Sequence, residues 1–240
     1  MNEKIPTHIG LIIDGNRRWA KKNNLSSLEG HKKGLDNIIK MAEYIVKRGI
    51  KYISIFAFST ENFKRTEEEV SYLMKLFIKG FNEHFESIHK NNIKVVFSGR
   101  QDKLPKDVLN AMESLKEKTK DNTNGTVNIC INYGGHAEIV DATKKIVEDI
   151  SNNNLDINNL NEEIFAKYLY QELPPIDLLI RTGNEQRISN FMLWQLSYAE
   201  LYFPEVTWPE FDEENFEMAL DSFNKRDRRF GGNSNETKSN

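Results

Sequence analysis

Six short apolar runs rich in β-branched and aromatic side chains recur along the chain, at residues 8–13, 52–58, 93–97, 127–132, 177–180 and 201–206. Each has the length and near-continuous hydrophobicity of a strand covered on both faces. Between them lie stretches with apolar positions at helical spacing. One covers 35–48 and is closed by Gly49; another covers 67–89 and is opened by Thr66, with Glu69 three residues later as a capping box. A further helix is expected over 191–198. Strand and helix alternate, so the pattern predicts an α/β fold: a single domain with a mostly parallel, six-stranded sheet flanked by helices. In such sheets ligands bind beyond the carboxyl ends of the strands, which directs attention to the residues just after each run.

Composition narrows the picture. The 240 residues fit one ordinary domain able to bury a full core without disulfides. The Asn-rich stretch 151–161 reads as a surface loop, and the polar tail 233–240 as disordered. A net charge of -3 argues against a generalised nucleic-acid binder, so any anion site must be a local cluster. The single cysteine, Cys130, sits inside an apolar run, where a buried structural thiol is expected, consistent with a reducing, cytoplasmic compartment. No window approaches the ~20 apolar residues that span a bilayer. Peripheral contact with a membrane surface is left open.

The chemistry gathers at the strand ends. After the first run comes Asp14-Gly15-Asn16-Arg17-Arg18-Trp19: a carboxylate, a glycine permitting close backbone approach, an amide, two guanidiniums and an aromatic plate. Backbone N–H groups and arginines suit a phosphate, and a carboxylate suits the magnesium that screens it. Equally, Asp14 could cap a helix and the arginines could be solvated. The second run ends Ser59-Thr60-Glu61-Asn62-Phe63-Lys64-Arg65, and the fifth leads into Arg181-Thr182-Gly183-Asn184-Glu185-Gln186-Arg187-Ile188-Ser189-Asn190. Arg18, Arg65, Arg181 and Arg187 together exceed what one monophosphate needs but suit one or two diphosphates. His31 follows Gly30 within a basic stretch, where a histidine is as readily a plain helix-start residue. Sequences of the P-loop, dinucleotide-fingerprint, zinc-ligand and serine-elbow types are absent, as are paired aspartate-rich segments.

These loops, taken with Asn132-Tyr133-Gly134-Gly135, Trp194-Gln195, Glu200-Leu201-Tyr202-Phe203, Trp208-Pro209-Glu210-Phe211 and Arg229-Phe230-Gly231-Gly232, resemble the cis-prenyltransferase family, of the undecaprenyl diphosphate synthase kind. The likeness covers nearly the whole chain, so residues 1–232 would form one catalytic domain. It implies condensation of isopentenyl diphosphate with an allylic prenyl diphosphate under Mg2+, giving undecaprenyl diphosphate or a shorter cis-prenyl product. The resemblance also implies roles. Asp14 would hold magnesium and assist diphosphate departure, with Glu200 as second metal ligand. Gly15, Asn16, Arg17 and Arg18 would bind the allylic diphosphate, with Trp19 and His31 nearby. Ser59, Thr60, Glu61, Asn62, Phe63 and Arg65 would lie near the reacting carbons, Asn62 at the position often assigned as proton acceptor. Arg181, Arg187, Ile188 and Ser189 would grip isopentenyl diphosphate. The Arg229-Phe230-Gly231 tail would reach a partner's site, implying a homodimer.

A growing prenyl chain needs an apolar tunnel. Leu73, Leu76, Phe77, Phe81 and Phe85 form one helical stripe that could line it or could simply be core. Four positions depart from the family pattern: Ser27 stands where an arginine is common, Phe63 replaces tryptophan, Asn184 replaces glycine and His136 replaces arginine. Asn184 is tolerable if its backbone is left-handed. Two other readings compete. An aspartate-dependent phosphohydrolase would usually carry a second aspartate where Asn16 stands; a catalytically silent partner subunit would be expected to have lost Asp14 or the arginines, which are intact.

Overall fold

The computed structural model describes residues 4–228. The expected polar tail and the Arg229-Phe230-Gly231 motif lie outside the described residues. Strands β1 (His8–Ile12), β2 (Tyr52–Ser59), β3 (Ile93–Ser98), β4 (Gly125–Tyr133), β5 (Leu178–Arg181) and β6 (Glu200–Tyr202) form one sheet in the order β3-β4-β2-β1-β5-β6. Every pairing is parallel. All carboxyl ends therefore share one rim, as the alternating pattern predicts.

The flanking helices are α1 (Asn16–Lys22), α2 (Ser27–Lys47), α3 (Glu67–Glu83), α4 (Phe85–Lys90), α5 (Lys106–Thr119), α6 (Gly135–Ser151), α7 (Glu162–Lys167) and α8 (Glu213–Asn224). Helix α2 starts eight residues before the expected 35. Ser26 caps it with Glu29 in a reciprocal capping box. Its first two turns bury glycine instead of aliphatic side chains: a Cβ on Gly30 would stand 2.3 Å from the Asn16 carbonyl oxygen, and one on Gly34 2.2 Å from Asn16 Oδ1. Hydrophobic periodicity cannot register a face made by the lack of a side chain.

Three other boundaries are corrected. The stretch 67–89 is two helices, split at His84 (φ −100°, ψ 1°). The expected helix 191–198 is a succession of turns, because Ser189, Asn190 and Met192 have φ of 50°, 63° and 36°, values incompatible with a right-handed helix start. The last strand stops at Tyr202, ahead of Pro204, which has no N–H to give a ladder. The chain beyond still adheres to the β5 loop through Asn184 N–H to Pro204 O and Gly183 N–H to Val206 O.

One face of the sheet packs on a large core that includes Leu73, Leu76, Phe77 and Phe81 of α3, with Phe85 partly buried against it. The opposite face carries a smaller cluster of Ile12, Cys130, Tyr133, Leu179 and Phe191. Cys130 is fully buried and burial pushes its thiol pKa well up, which makes it a structural residue. No helix of the described residues is long and apolar enough to cross a membrane.

A polar line crosses four strands inside this core. The His8 ring donates from Nδ1 to Pro174 O at 2.7 Å, and its Nε2 accepts from Ser54 Oγ at 2.9 Å. Asn128 Nδ2 donates to Ser54 Oγ at 3.0 Å, and Ser98 Oγ donates to Asn128 Oδ1 at 2.8 Å. With Nδ1–H given to Pro174 O, a neutral imidazole completes this line as the acceptor from Ser54. Burial lowers the His8 pKa from 6.5 to about 4, against the raising effect of its Pro174 bond and of Asp177. The unfolded chain thus takes up this proton first. The neutral ring's contribution, about 3 kcal/mol for a shift of that size, is complete above pH 6.5 and is lost as pH falls through about 4. In urea titrations from pH 7 down to about 4, His8→Gln should lower stability at neutral pH and flatten its fall with acid relative to the parent chain; parallel curves would refute the assignment.

Candidate active site at the carboxyl rim

The site is built where β1 and β5 end side by side, Ile12 opposite Arg181. Two residues past β1, the Asp14 main-chain carbonyl accepts Thr182 Oγ1 at 2.7 Å and the Trp208 N–H at 3.0 Å, which fixes its backbone between the fifth-strand loop and the 207–208 segment. Gly15 follows at φ 106°; a Cβ there would stand 2.8 Å from Thr207 Cβ. Gly183, at φ 84°, lies so close to Arg18 that a Cβ would stand 2.5 Å from its Nη2. Asn184 takes φ 57°, the left-handed conformation that its replacement of glycine requires.

Two guanidiniums converge on the Asp14 carboxylate. Arg181 Nη2 donates to Oδ2 at 3.0 Å, and Arg18 Nη2 stands 3.3 Å from Oδ1. Arg181 is 4% exposed, and its other terminal nitrogen bonds Ser189 Oγ at 2.7 Å and the Arg187 carbonyl. Its Nε is buried with no hydrogen-bond partner. Glu185 accepts from Arg18 at 3.4 Å and pairs with Arg187, holding both cations at the mouth of the cleft.

The second-strand loop forms the facing wall. Thr60–Lys64 is a 3-10 turn in which Asn62 Oδ1 accepts the Ser59 N–H at 3.0 Å. Burial alone would raise the Glu61 pKa, but hydrogen bonds from its own N–H, Ser59, Thr60 and Asn190 bring it below the usual value. Thr66 caps α3 as expected, but only half of the capping box forms: the Glu69 carboxylate instead takes Arg65 at 3.0 Å and His31 at 3.3 Å. Burial, then the charge of Arg65, lowers the His31 pKa against the pull of Glu69. The neutral ring of His31 is thereby favoured over the cationic one.

Two cavities, of about 800 and 560 Å³, share Ile13, Asp14, Asn16, His31 and Arg65 and therefore form one cleft around Asp14. The larger is bordered by Gly15, Arg17, Arg18, Lys21, Ser27 and Arg187. The smaller mixes Ser59, Glu61, Asn62, Arg181 and Ser189 with the apolar Ile12, Phe56, Ala57 and Leu73. Most of the predicted residues thus meet in one place. Four do not border the cleft: Phe63 lines a separate 350 Å³ hollow beside α3, Ile188 packs on the smaller core, Thr60 abuts Gly134, and Trp19 is half-buried on α1.

Glu200 is also elsewhere. Its register partner is Leu178, which is level with Ile9, so at ~3.3 Å per residue it stands about 16 Å along the sheet from Asp14 in the same chain. It is ion-paired with Arg226 at 2.8 Å. Sequence reasoning assigned no role in the site to Lys21, Glu185 or Asn190, and gave Glu69 only a capping role. Glu69, Glu185 and Asn190 gain their places from neighbours distant in sequence, and Lys21 borders the larger cavity.

No group of three or more metal-ligating side chains occurs among the described residues. Mg2+ commonly uses one or two carboxylates together with substrate phosphate oxygens and water. Asp14, one-third exposed and ringed by cations that would bring a diphosphate, fits this donor set.

The model of a family described as putative undecaprenyl diphosphate synthase matches residues 12–231. The chain belongs to that family. As a member it is a prenyltransferase, the enzyme class implied by the strand-end motifs. The isoprenyl transferase of Fusobacterium nucleatum is 47% identical over 97% of this chain and 98% of its own length. That of Thermotoga maritima is 43% identical over 95% and 98%. Lavandulyl diphosphate synthase from Lavandula x intermedia, solved with dimethylallyl diphosphate, superposes with a TM-score of 0.90 at 32% identity, covering 95% of this chain and 98% of that one. A probable undecaprenyl diphosphate synthase from Campylobacter jejuni gives 0.79 at 34% identity, over 96% and 100%.

The tight packing of Gly183 yields a prediction. Gly183→Ala places a methyl against Arg18 and forces an L-residue into φ 84°. It should destabilise the fold by on the order of 2 kcal/mol and weaken allylic diphosphate binding, measured by thermal melts and calorimetric titration; a variant indistinguishable from the parent chain in both would remove Gly183 from the site.

Proposed function

We propose that this prenyltransferase condenses isopentenyl diphosphate with an allylic prenyl diphosphate in cis geometry, with Mg2+, to release a longer polyprenyl diphosphate. The observation that carries this reading is the contact between Asp14 and Arg181 at the meeting point of a cation-lined cavity and one with apolar walls. The allylic diphosphate is assigned to the Gly15, Asn16, Arg17 and Arg18 side, with Trp19 and His31 nearby. Isopentenyl diphosphate is assigned to Arg181, Arg187 and Ser189. Ser59, Glu61, Asn62 and Arg65 lie beside the reacting carbons, with Thr60 and Phe63 shaping that loop.

In the reaction the allylic carbon–oxygen bond breaks with its electron pair leaving on the diphosphate. The isopentenyl double bond supplies the electrons of the new carbon–carbon bond, and a proton is then lost. Fixed guanidiniums stabilise the charge that develops on the leaving group, since they need no reorganisation as it forms. Mg2+, held by Asp14 and diphosphate oxygens, would add electrostatic screening of the same group. The Asn62 amide oxygen already accepts the Ser59 N–H and is a poor base, so Asn62 orients the diphosphate or the water that takes the proton. Apolar walls at Phe56, Ala57 and Leu73 suit the prenyl tail, at ~0.8 kcal/mol per buried methylene.

We further propose a cytoplasmic homodimer. A metal-ligand role for Glu200 then falls to the cleft of the second copy, because its own Asp14 is too far away. β6 is an edge strand, with Leu201 and the preceding Tyr198 exposed at 37% and 67%.

Labelled isopentenyl diphosphate offered with allylic primers of increasing length should give longer prenyl products only when both substrates and Mg2+ are present. Phosphate release from farnesyl diphosphate alone, with no elongation, would overturn the reading in favour of a hydrolase. The two grips are separable: loss of a charged hydrogen bond of about 1.5–3 kcal/mol predicts that Arg187→Ala raises KM about 10- to 100-fold for isopentenyl diphosphate, and Arg18→Ala for the allylic partner. Equal effects on both substrates would contradict the assignment.

A further inference from the structure

Asn190 stands directly after Ser189, whose hydroxyl receives Arg181, and both residues have left-handed backbones at φ 63° and 50°. Its main-chain carbonyl accepts the Gly135 N–H at 2.6 Å, and its Oδ1 accepts the His136 N–H at 2.9 Å. Its Nδ2 donates to Glu61 at 3.4 Å. One side chain thus joins the turn that ends the anion grip, the start of α6, and the Thr60–Lys64 turn across the cleft. The junction has no slack: a Cβ on Gly134 would lie 2.8 Å from Asn190 Nδ2 and 2.9 Å from Thr60 Oγ1. Asn190 also borders the cavity that holds Arg181, Asn62 and Asp14.

We propose that Asn190 is a positioning residue that fixes the separation between the Arg181–Ser189 grip and the Ser59–Asn62 wall, and thereby aligns the two substrates for bond formation. The inference rests on the two-substrate reading given above. An asparagine meets both demands of the position, since it tolerates the left-handed backbone and carries an acceptor for α6 together with a donor for Glu61. Misalignment of two reactants by about an ångström can lower a rate about 100-fold without altering how tightly either is held.

The discriminating variant is Asn190→Gly, which keeps the left-handed backbone and the carbonyl to Gly135 while removing the side chain. Steady-state kinetics should show kcat lowered about 10- to 100-fold, with KM for each substrate near that of the parent. Asn190→Asp retains the acceptor facing α6 but loses the donor to Glu61, so it should fold well and still lose kcat. In a double-mutant cycle, Asn190→Gly should add little to Glu61→Ala yet add its full loss to Arg18→Ala. A residue that only stabilised the fold would lower the melting temperature, spare kcat of the folded enzyme, and be additive with Glu61→Ala. Either unchanged kcat in both Asn190 variants or an additive cycle with Glu61→Ala overturns the proposal. Failure of the parent chain to elongate any primer would instead overturn the two-substrate reading.

Discussion

Concentrating positive charge on one rim of a protein with net charge -3 is the constraint to which the rest of the site answers. Like charges held close repel, and burying a guanidinium as deeply as Arg181 is costly unless its donors are matched. Asp14 resolves this for Arg181 and Arg18 together, Glu185 for Arg18 and Arg187, and Glu69 for Arg65. Each acid keeps a cation in a set orientation while leaving part of it available. The result is a cleft prepared for anions before any arrives, which is the condition for electrostatic stabilisation without rearrangement at the moment of reaction.

The parallel sheet makes this concentration achievable. With every strand running the same way, the segments after β1, β2 and β5 emerge side by side, and backbone bonds such as Trp208 N–H to Asp14 O tie them together. Close approach then depends on missing side chains. Gly30 and Gly34 let α2 lie against Asn16, Gly183 admits Arg18, and Gly134 admits both Asn190 and Thr60. The cleft is positioned by backbone contacts at least as much as by the functional groups it displays.

Much of this was legible in the sequence. The strand runs gave the sheet, and the polar residues after three of them gave most of the cleft, including Asp14, Arg18, His31, Asn62, Arg181 and Ser189. What stayed hidden has a common physical cause. The start of α2 was missed because its buried face is glycine. The 191–198 stretch carries apolar spacing that suits a helix, but left-handed residues at 189, 190 and 192 turn it into the smaller core. Asn190 and Glu69 act through partners 129 and 38 residues away, a relation that no local pattern encodes. Glu200 follows the same logic in reverse: its motif is clear, yet register puts it at the other end of the sheet from Asp14.

The opposite rim offers a contrast. There the turns before the strands meet, close to His8 at the start of β1, and none of the residues bordering the cleft lies among them. The Gly49 turn and the loop leading into β4 lie on that side and border neither cavity. Attachments or lengthened loops grafted at these two segments, away from Glu200 and β6, can be judged by solubility and yield, while changes of substrate preference are confined to the other rim.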